Sequence, residues 1–106
     1  MNFYRLNDDC VPVLSKLPRH RILRHTHIGG VLISTVFLGV DHDYFNDDGS
    51  RPPLVFETMI LGGAFNGEQH RHRTFDAAML QHKTQVIRVY YASPWWAKLG
   101  YLLMGG

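Results

Sequence analysis

A chain of 106 residues is long enough for one domain and too short for two. Its 45% hydrophobic and 12% aromatic content excludes a disordered chain, and a domain of this size buries roughly 60–70% of its unfolded surface without help from metals or disulfides. The net charge of +2 is too small to imply nucleic-acid binding by itself, and a lone cysteine, Cys10, excludes an intramolecular disulfide.

The first ten residues, MNFYRLNDDC, lack a basic segment followed by an apolar run, so no signal peptide is expected. The most apolar stretch, residues 28–40, is shorter than the ~20 residues of a membrane helix, and Gly29, Gly30 and Gly39 interrupt it. A soluble, cytoplasmic protein without membrane contact is expected. A reducing compartment suits the single cysteine, and Asp8 and Asp9 beside it oppose the thiolate that a nucleophile needs.

Residues 3–6 suit a short first strand, and Asn7-Asp8-Asp9 is turn chemistry. Pro12 and Pro18 bracket a segment expected to be irregular or briefly helical. Residues 19–28 alternate loosely and read as a strand, with Gly29-Gly30 as the following turn. Residues 31–38, VLISTVFL, are β-branched and apolar on both faces, which predicts a central strand covered on each side. A loop follows over 41–53, marked by Asn46-Asp47-Asp48-Gly49 and Pro52-Pro53. Residues 54–61, LVFETMIL, predict a second buried strand forming a hairpin with the first.

Gly62-Gly63 and Asn66-Gly67 are turn signals before a further strand over 68–73. Thr74 is a good helix cap, Asp76 suits the first turn, and Phe75, Met79, His82, Val86 and Val89 share one face of a helix ending near Ala92. Ser93-Pro94 then opens a short apolar helix, with Trp95, Leu99 and Leu102 on one stripe, and Gly105-Gly106 ends the chain. The expected fold is therefore a single α+β domain over 1–106. It is an antiparallel sheet of about four strands packed against one long helix, with residues 93–106 as a short C-terminal helix.

Some of these motifs resemble a known family. Ser34-Thr35-Val36-Phe37-Leu38-Gly39-Val40-Asp41-His42, then Pro53-Leu54-Val55-Phe56-Glu57-Thr58-Met59 and Gly62-Gly63, are similar to strand motifs of short, largely uncharacterised proteins encoded by bacteriophages and prophages. The helix opening Arg73-Thr74-Phe75-Asp76-Ala77-Ala78, with His82 beyond, resembles that family's last motif. His72 and Phe75 stand where the family favours tyrosine and tryptophan. The resemblance spans about residues 3–89 and leaves the tail from Ser93 unmatched. It implies a mobile-element origin and a role against host defence or in phage development. It transfers no catalytic residue.

Four groups of residues are candidates for function. Asp41, His42 and Glu57 stand at the end of one central strand and inside the other, where a carboxylate needs a partner. They form either a polar pocket, or a loop cap and a structural ion pair with an arginine such as Arg24 or Arg71. His25-x-His27 and His70-x-His72 each place two imidazoles on one strand face, and four would converge on a metal if the strands were neighbours. That spacing is common, and solvated edge residues are the simpler reading; no metal or other cofactor is expected.

Arg21 and Arg24, with Arg19, Arg71 and Arg73, could line a phosphate-binding sheet region. Simple alternation puts them on opposing faces, and a solvated, aggregation-resistant edge explains them equally. Trp95-Trp96 with Leu99, Leu102 and Leu103 make a compact apolar helix that either docks on the domain's own core or forms a dimer contact or seats a partner. The acidic segment 41–49 does not match a calcium loop, since Phe45 falls at its fifth position and Gly49 comes too late.

No nucleophile with an oriented base and no phosphate loop can be read, so a non-enzymatic binding protein is expected. It would inhibit a host protein stoichiometrically, by masking a surface or by sequestering a small anionic or nucleotide ligand. Two alternatives stay open: a nucleic-acid-binding protein that uses the arginine-rich strands, and a histidine-metal hydrolase.

Overall fold

The computed structural model describes residues 2–46 and 48–104. Asp47 of the acidic loop and the terminal Gly105-Gly106 lie outside the described residues. The architecture is α+β, with a two-stranded and a four-stranded antiparallel sheet and two helices.

Strands β1 (Phe3–Leu6) and β2 (Pro12–Ser15) form a ribbon, in register from Phe3 opposite Ser15 to Leu6 opposite Pro12. Its turn is held by Asn7, whose Oδ1 accepts the N–H groups of Asp9 and Val11 at 2.9 and 3.0 Å. The segment expected to be irregular or helical is thus partly strand. Pro12 is compatible because it opens a strand with a single partner, where its missing N–H costs no ladder bond.

The main sheet runs β3 (Arg21–Ile28), β4 (Val31–Phe37), β5 (Phe56–Leu61), β6 (Gln69–His72), each antiparallel to its neighbour. The expected central hairpin is β4–β5, in register from Leu32 opposite Leu61 to Phe37 opposite Phe56. β5 opens at Phe56 rather than at residue 54, because the Leu54 N–H is bonded to Asp41 instead of to a strand.

Helix α1 (Phe75–Ala92) is capped by Thr74, whose hydroxyl accepts the Ala77 N–H at 3.1 Å. At its other end Ser93 turns the chain into α2 (Trp95–Met104), its hydroxyl donating to the Val89 carbonyl at 2.6 Å. The fully buried stripe of α1 is Ala78, His82, Gln85 and Val89, so small and polar residues face the sheet most closely. Phe75, Met79 and Val86 flank it half-buried.

Both helices pack on the same side of the sheet. Ile33, Thr35 and Phe37 of β4 and Phe56, Thr58 and Ile60 of β5 point towards them and are fully buried. One apolar cluster joins Tyr4, Phe37, Val55, Phe56 and Ala78; the other joins Ile28, Ile33, Ile60, Val89 and Ala97. The opposite side, with Leu32, Ser34, Val36, Met59 and Leu61, has no helix over it and is only partly buried. The expectation that the central strands are covered on both sides is therefore corrected. The described residues form one helical layer, and on the other face His25 of β3 bonds Ser34 and Arg71 of β6 pairs with Glu57.

Candidate functional site

Asp41 leaves β4 and builds the loop that follows. Its Oδ1 accepts the N–H groups of Asp43 and Leu54, both at 2.9 Å, and its Oδ2 accepts the Asn46 amide at 2.9 Å. Asn46 is itself buried and holds both the N–H and the carbonyl of Arg51. Asp43 faces Arg73 at 2.7 Å and Arg51 at 3.2 Å, and those guanidiniums hold its carboxyl below the usual carboxylate range. Arg73 also donates to the Pro52 carbonyl. The His42 N–H donates to the Leu54 carbonyl. Asp41 and Arg73 are thus loop-building residues.

Glu57 stands elsewhere. It lies opposite Val36 and Arg71 on the helix-free face, and Arg71 Nε donates to its Oε2 at 3.0 Å. The structure joins Glu57 to Arg71, one of the two ion pairs the sequence suggested. It makes no hydrogen bond between Glu57 and Asp41 or His42.

The histidine pairs do not converge. His25 and His27 lie opposite Ser34 and Leu32 on the helix-free face of one edge strand. His70 and His72 lie opposite Thr58 and Phe56, on the helix side of the other edge strand. Two strands at about 4.8 Å spacing intervene, and the faces differ. The postulated four-histidine centre is corrected on that ground. No group of three or more potential metal ligands forms among the described residues. His72 is pushed towards neutrality by burial and by His70. His70 Nε2–H donates to Glu68 Oε1 at 3.1 Å.

Glu68 also takes a two-pronged bond from Arg88 on α1, at 2.6 and 3.0 Å, with the guanidinium 3.6 Å above the Phe65 ring. These contacts lower the Glu68 carboxyl and raise Arg88. They tie α1 to the turn before β6.

The arginines are dispersed, with one exception. The register of β3 against β4 slips between Ile22 and Arg24. Such a bulge places one extra residue, here Leu23, and reverses the alternation. Arg21 lies opposite Phe37 and Arg24 opposite Thr35, so both point to the helix side. Simple alternation had put them on opposing faces. Arg71 points the other way at the far edge and Arg73 is held by Asp43 in the loop, so these two do not share a phosphate cradle with Arg21 and Arg24.

Two clefts border β3. One, of 430 Å³, is lined by His25, His27, Gly29, Trp96, Tyr101 and Met104, among others. The second, of 590 Å³, lies between β3 and α1 and is lined by Arg24, Met79, His82, Lys83, Val86 and Ile87. Both include Thr26 and Tyr101. Of these, Lys83 and Tyr101 had no distinguishing signal in the sequence: each is one residue of a helix, and only the crossing of β3, α1 and α2 gives them a common site.

α2 presents the largest apolar feature. Its one fully buried residue is Ala97. Trp95 is 75% and Met104 87% exposed, and Trp96, Leu99, Leu102 and Leu103 are exposed with them. Leu80, Ile87 and Tyr91 on α1 are exposed as well. Helix α2 docks on the domain's own core through Ala97, with Tyr101 packed beside it, while its two tryptophans stay exposed. No helix among the described residues is long and apolar enough to cross a membrane. Comparison with protein families, with curated proteins and with solved structures gives no match for this chain.

Proposed function

We propose that this chain is a non-enzymatic, phage-type binding protein that engages a host protein stoichiometrically and masks part of its surface. The observation that carries the reading is α2, a helix that turns Ala97 inward and leaves two tryptophans, three leucines and a methionine exposed. Contiguous apolar surface of this kind marks protein interfaces, and tryptophan is the side chain most enriched at their energetic centres. The resemblance to phage proteins supplies the host as the source of the partner. Asp41, Glu57, Arg71 and Arg73 are occupied by loop and strand contacts, which supports binding over catalysis at those residues. Dispersal of the arginines also weighs against the nucleic-acid alternative.

The test is affinity capture from host lysate with the wild-type chain and with Trp96→Ala. A captured protein is then titrated calorimetrically against the purified chain. Saturation at one chain per partner, lost in the variant, is the expected result. Capture of nothing, or of the same proteins by both chains, overturns the reading. Self-association that buries α2 in the free chain would do so too.

A further inference from the structure

We propose that the outer edge of β3 is a docking edge for an acidic, extended segment of a partner protein, which adds to the main sheet as a further strand. The inference rests on the protein-binding reading above and names the chemistry of the partner segment.

β3 is an edge strand of eight residues, paired with β4 alone. An unpaired edge offers a row of N–H and C=O groups to any extended chain, and side-chain chemistry decides which chain is accepted. On this edge Arg21, Arg24, His25 and His27 are all exposed. Arg21 and Arg24 take part in no ion pair among the described residues, whereas Arg51, Arg71, Arg73 and Arg88 all do. From Lys16 to His27 the sequence holds four lysines and arginines, three histidines and no acid.

The two clefts beside the strand contain no acidic residue either. One supplies apolar walls through Trp96, Tyr101 and Met104; the other adds Lys83 to Arg24. The bulge at Leu23 sets both arginines on the cleft side, where acidic side chains of an added strand would meet them. The opposite edge is different in kind. β6 has four residues, and its Arg71 and His70 are already paired with Glu57 and Glu68.

A second copy of this chain is a poor occupant. Two β3 edges would set arginines and histidines against their like, and like charges facing each other destabilise strand pairing. An acidic strand removes that repulsion, and its alternate acidic residues, all on one face, meet Arg21 and Arg24 on the cleft side.

The probe is a synthetic, end-blocked octapeptide of alternating glutamate and valine, added to the full-length ¹⁵N-labelled chain. Amide exchange and chemical shifts are read at every residue. Three comparisons accompany it: the same peptide with lysine for glutamate, one N-methylated at alternate backbone nitrogens, and the double variant R21E/R24E. Expected are protection of the β3 amides by the glutamate peptide and none by the lysine or N-methylated peptides. Affinity should fall about tenfold or more in the double variant, whose remaining amide spectrum reports an intact fold.

Equal binding of the glutamate and lysine peptides overturns the proposal. So does binding that survives N-methylation, absence of protection at millimolar peptide, or a dimer joined through β3. If a host protein is captured through α2 and the peptide leaves β3 unprotected, the docking edge fails alone. If the peptide protects β3 and no host protein is captured, the stoichiometric host-binding function fails alone.

Discussion

His82 on α1 and Thr35 on β4 are joined by a 2.7 Å hydrogen bond between Nδ1 and Oγ1, midway between the two apolar clusters. The same hydroxyl lies 2.6 Å from Thr58 Oγ1 on β5, and His82 Nε2 lies 2.8 Å from Thr26 Oγ1 on β3. One imidazole therefore ties a helix to three strands. Hydroxyls both donate and accept, so every polar atom of the neutral ring is satisfied in either tautomer. The helix carries a polar residue into its apolar face because three threonines wait for it there.

This network should contribute measurably to stability. His82→Ala leaves a cavity and unpaired hydroxyls, and should cost about 2–4 kcal/mol. Thr35→Val removes the atom shared by two bonds and should cost more than Thr58→Val, at about 1–3 kcal/mol against about 1 kcal/mol. Urea midpoints of the three variants check the order; equal losses for Thr35 and Thr58 would refute it.

The pH dependence follows from the burial of His82. Burial, with the nearby charges of Arg24 and His25, pushes its pKa down to about 4. The unfolded chain therefore takes up the proton first. Stability from neutral His82 is fully present above about pH 6.5 and is lost as pH falls towards 4, a change of about 3 kcal/mol. His72 acts in the same direction. Asp43 and Glu68 add their losses lower, around and below their ordinary values of 3.8 and 4.5. Denaturation free energies between pH 5 and 6.5, an interval of about 2 kcal/mol for His82, isolate the histidine effect. The slope there should flatten in His82→Gln and persist in Asp43→Asn.

Gly39 and Gly30 should differ in their response to the same substitution. Gly39 has φ +77°, and a Cβ there would lie 2.6 Å from the Arg19 backbone nitrogen. Gly39→Ala should cost about 2 kcal/mol or more, from left-handed strain and the clash together. At Gly30 a Cβ meets nothing within 4 Å. Gly30→Ala should stay within about 0.5 kcal/mol of the parent. Thermal melts followed by circular dichroism compare the two.

Asp41 should act on the loop and leave binding intact. Asp41→Ala frees two backbone N–H groups and the Asn46 amide, with an expected loss of about 1–3 kcal/mol. Limited proteolysis should then cut within residues 43–52, which the parent resists. Asp41→Asn keeps one carbonyl oxygen and should fall between the two. An unchanged cleavage pattern in Asp41→Ala would remove its assigned role.

Much of the fold was legible in the chain. β-branched runs at 31–38 and 54–61 gave the central hairpin, and Thr74 with Asp76 fixed the start of α1 to one residue. β2 was missed because two prolines obscure a strand that only its partner Phe3–Leu6 stabilises. The candidate site was less legible. Asp41, His42 and Glu57 looked like one group because each is a polar residue next to or within an apolar strand. Their separation depends on which face Glu57 occupies and on the loop that Asp41 closes.

The sequence by itself determined every element but β2, their order and the concentration of unopposed positive charge before the first glycine pair, since propensity, capping and composition act over a few neighbouring residues. Strand order and register were decided only by the tertiary structure. They put His25 and His27 on the opposite edge and face from His70 and His72, and the one-residue slip at Leu23 brought Arg21 and Arg24 to the same side. Side-chain direction in a strand alternates with every residue, so a single added residue, fixed by pairing with a distant segment, reverses what lies on each face.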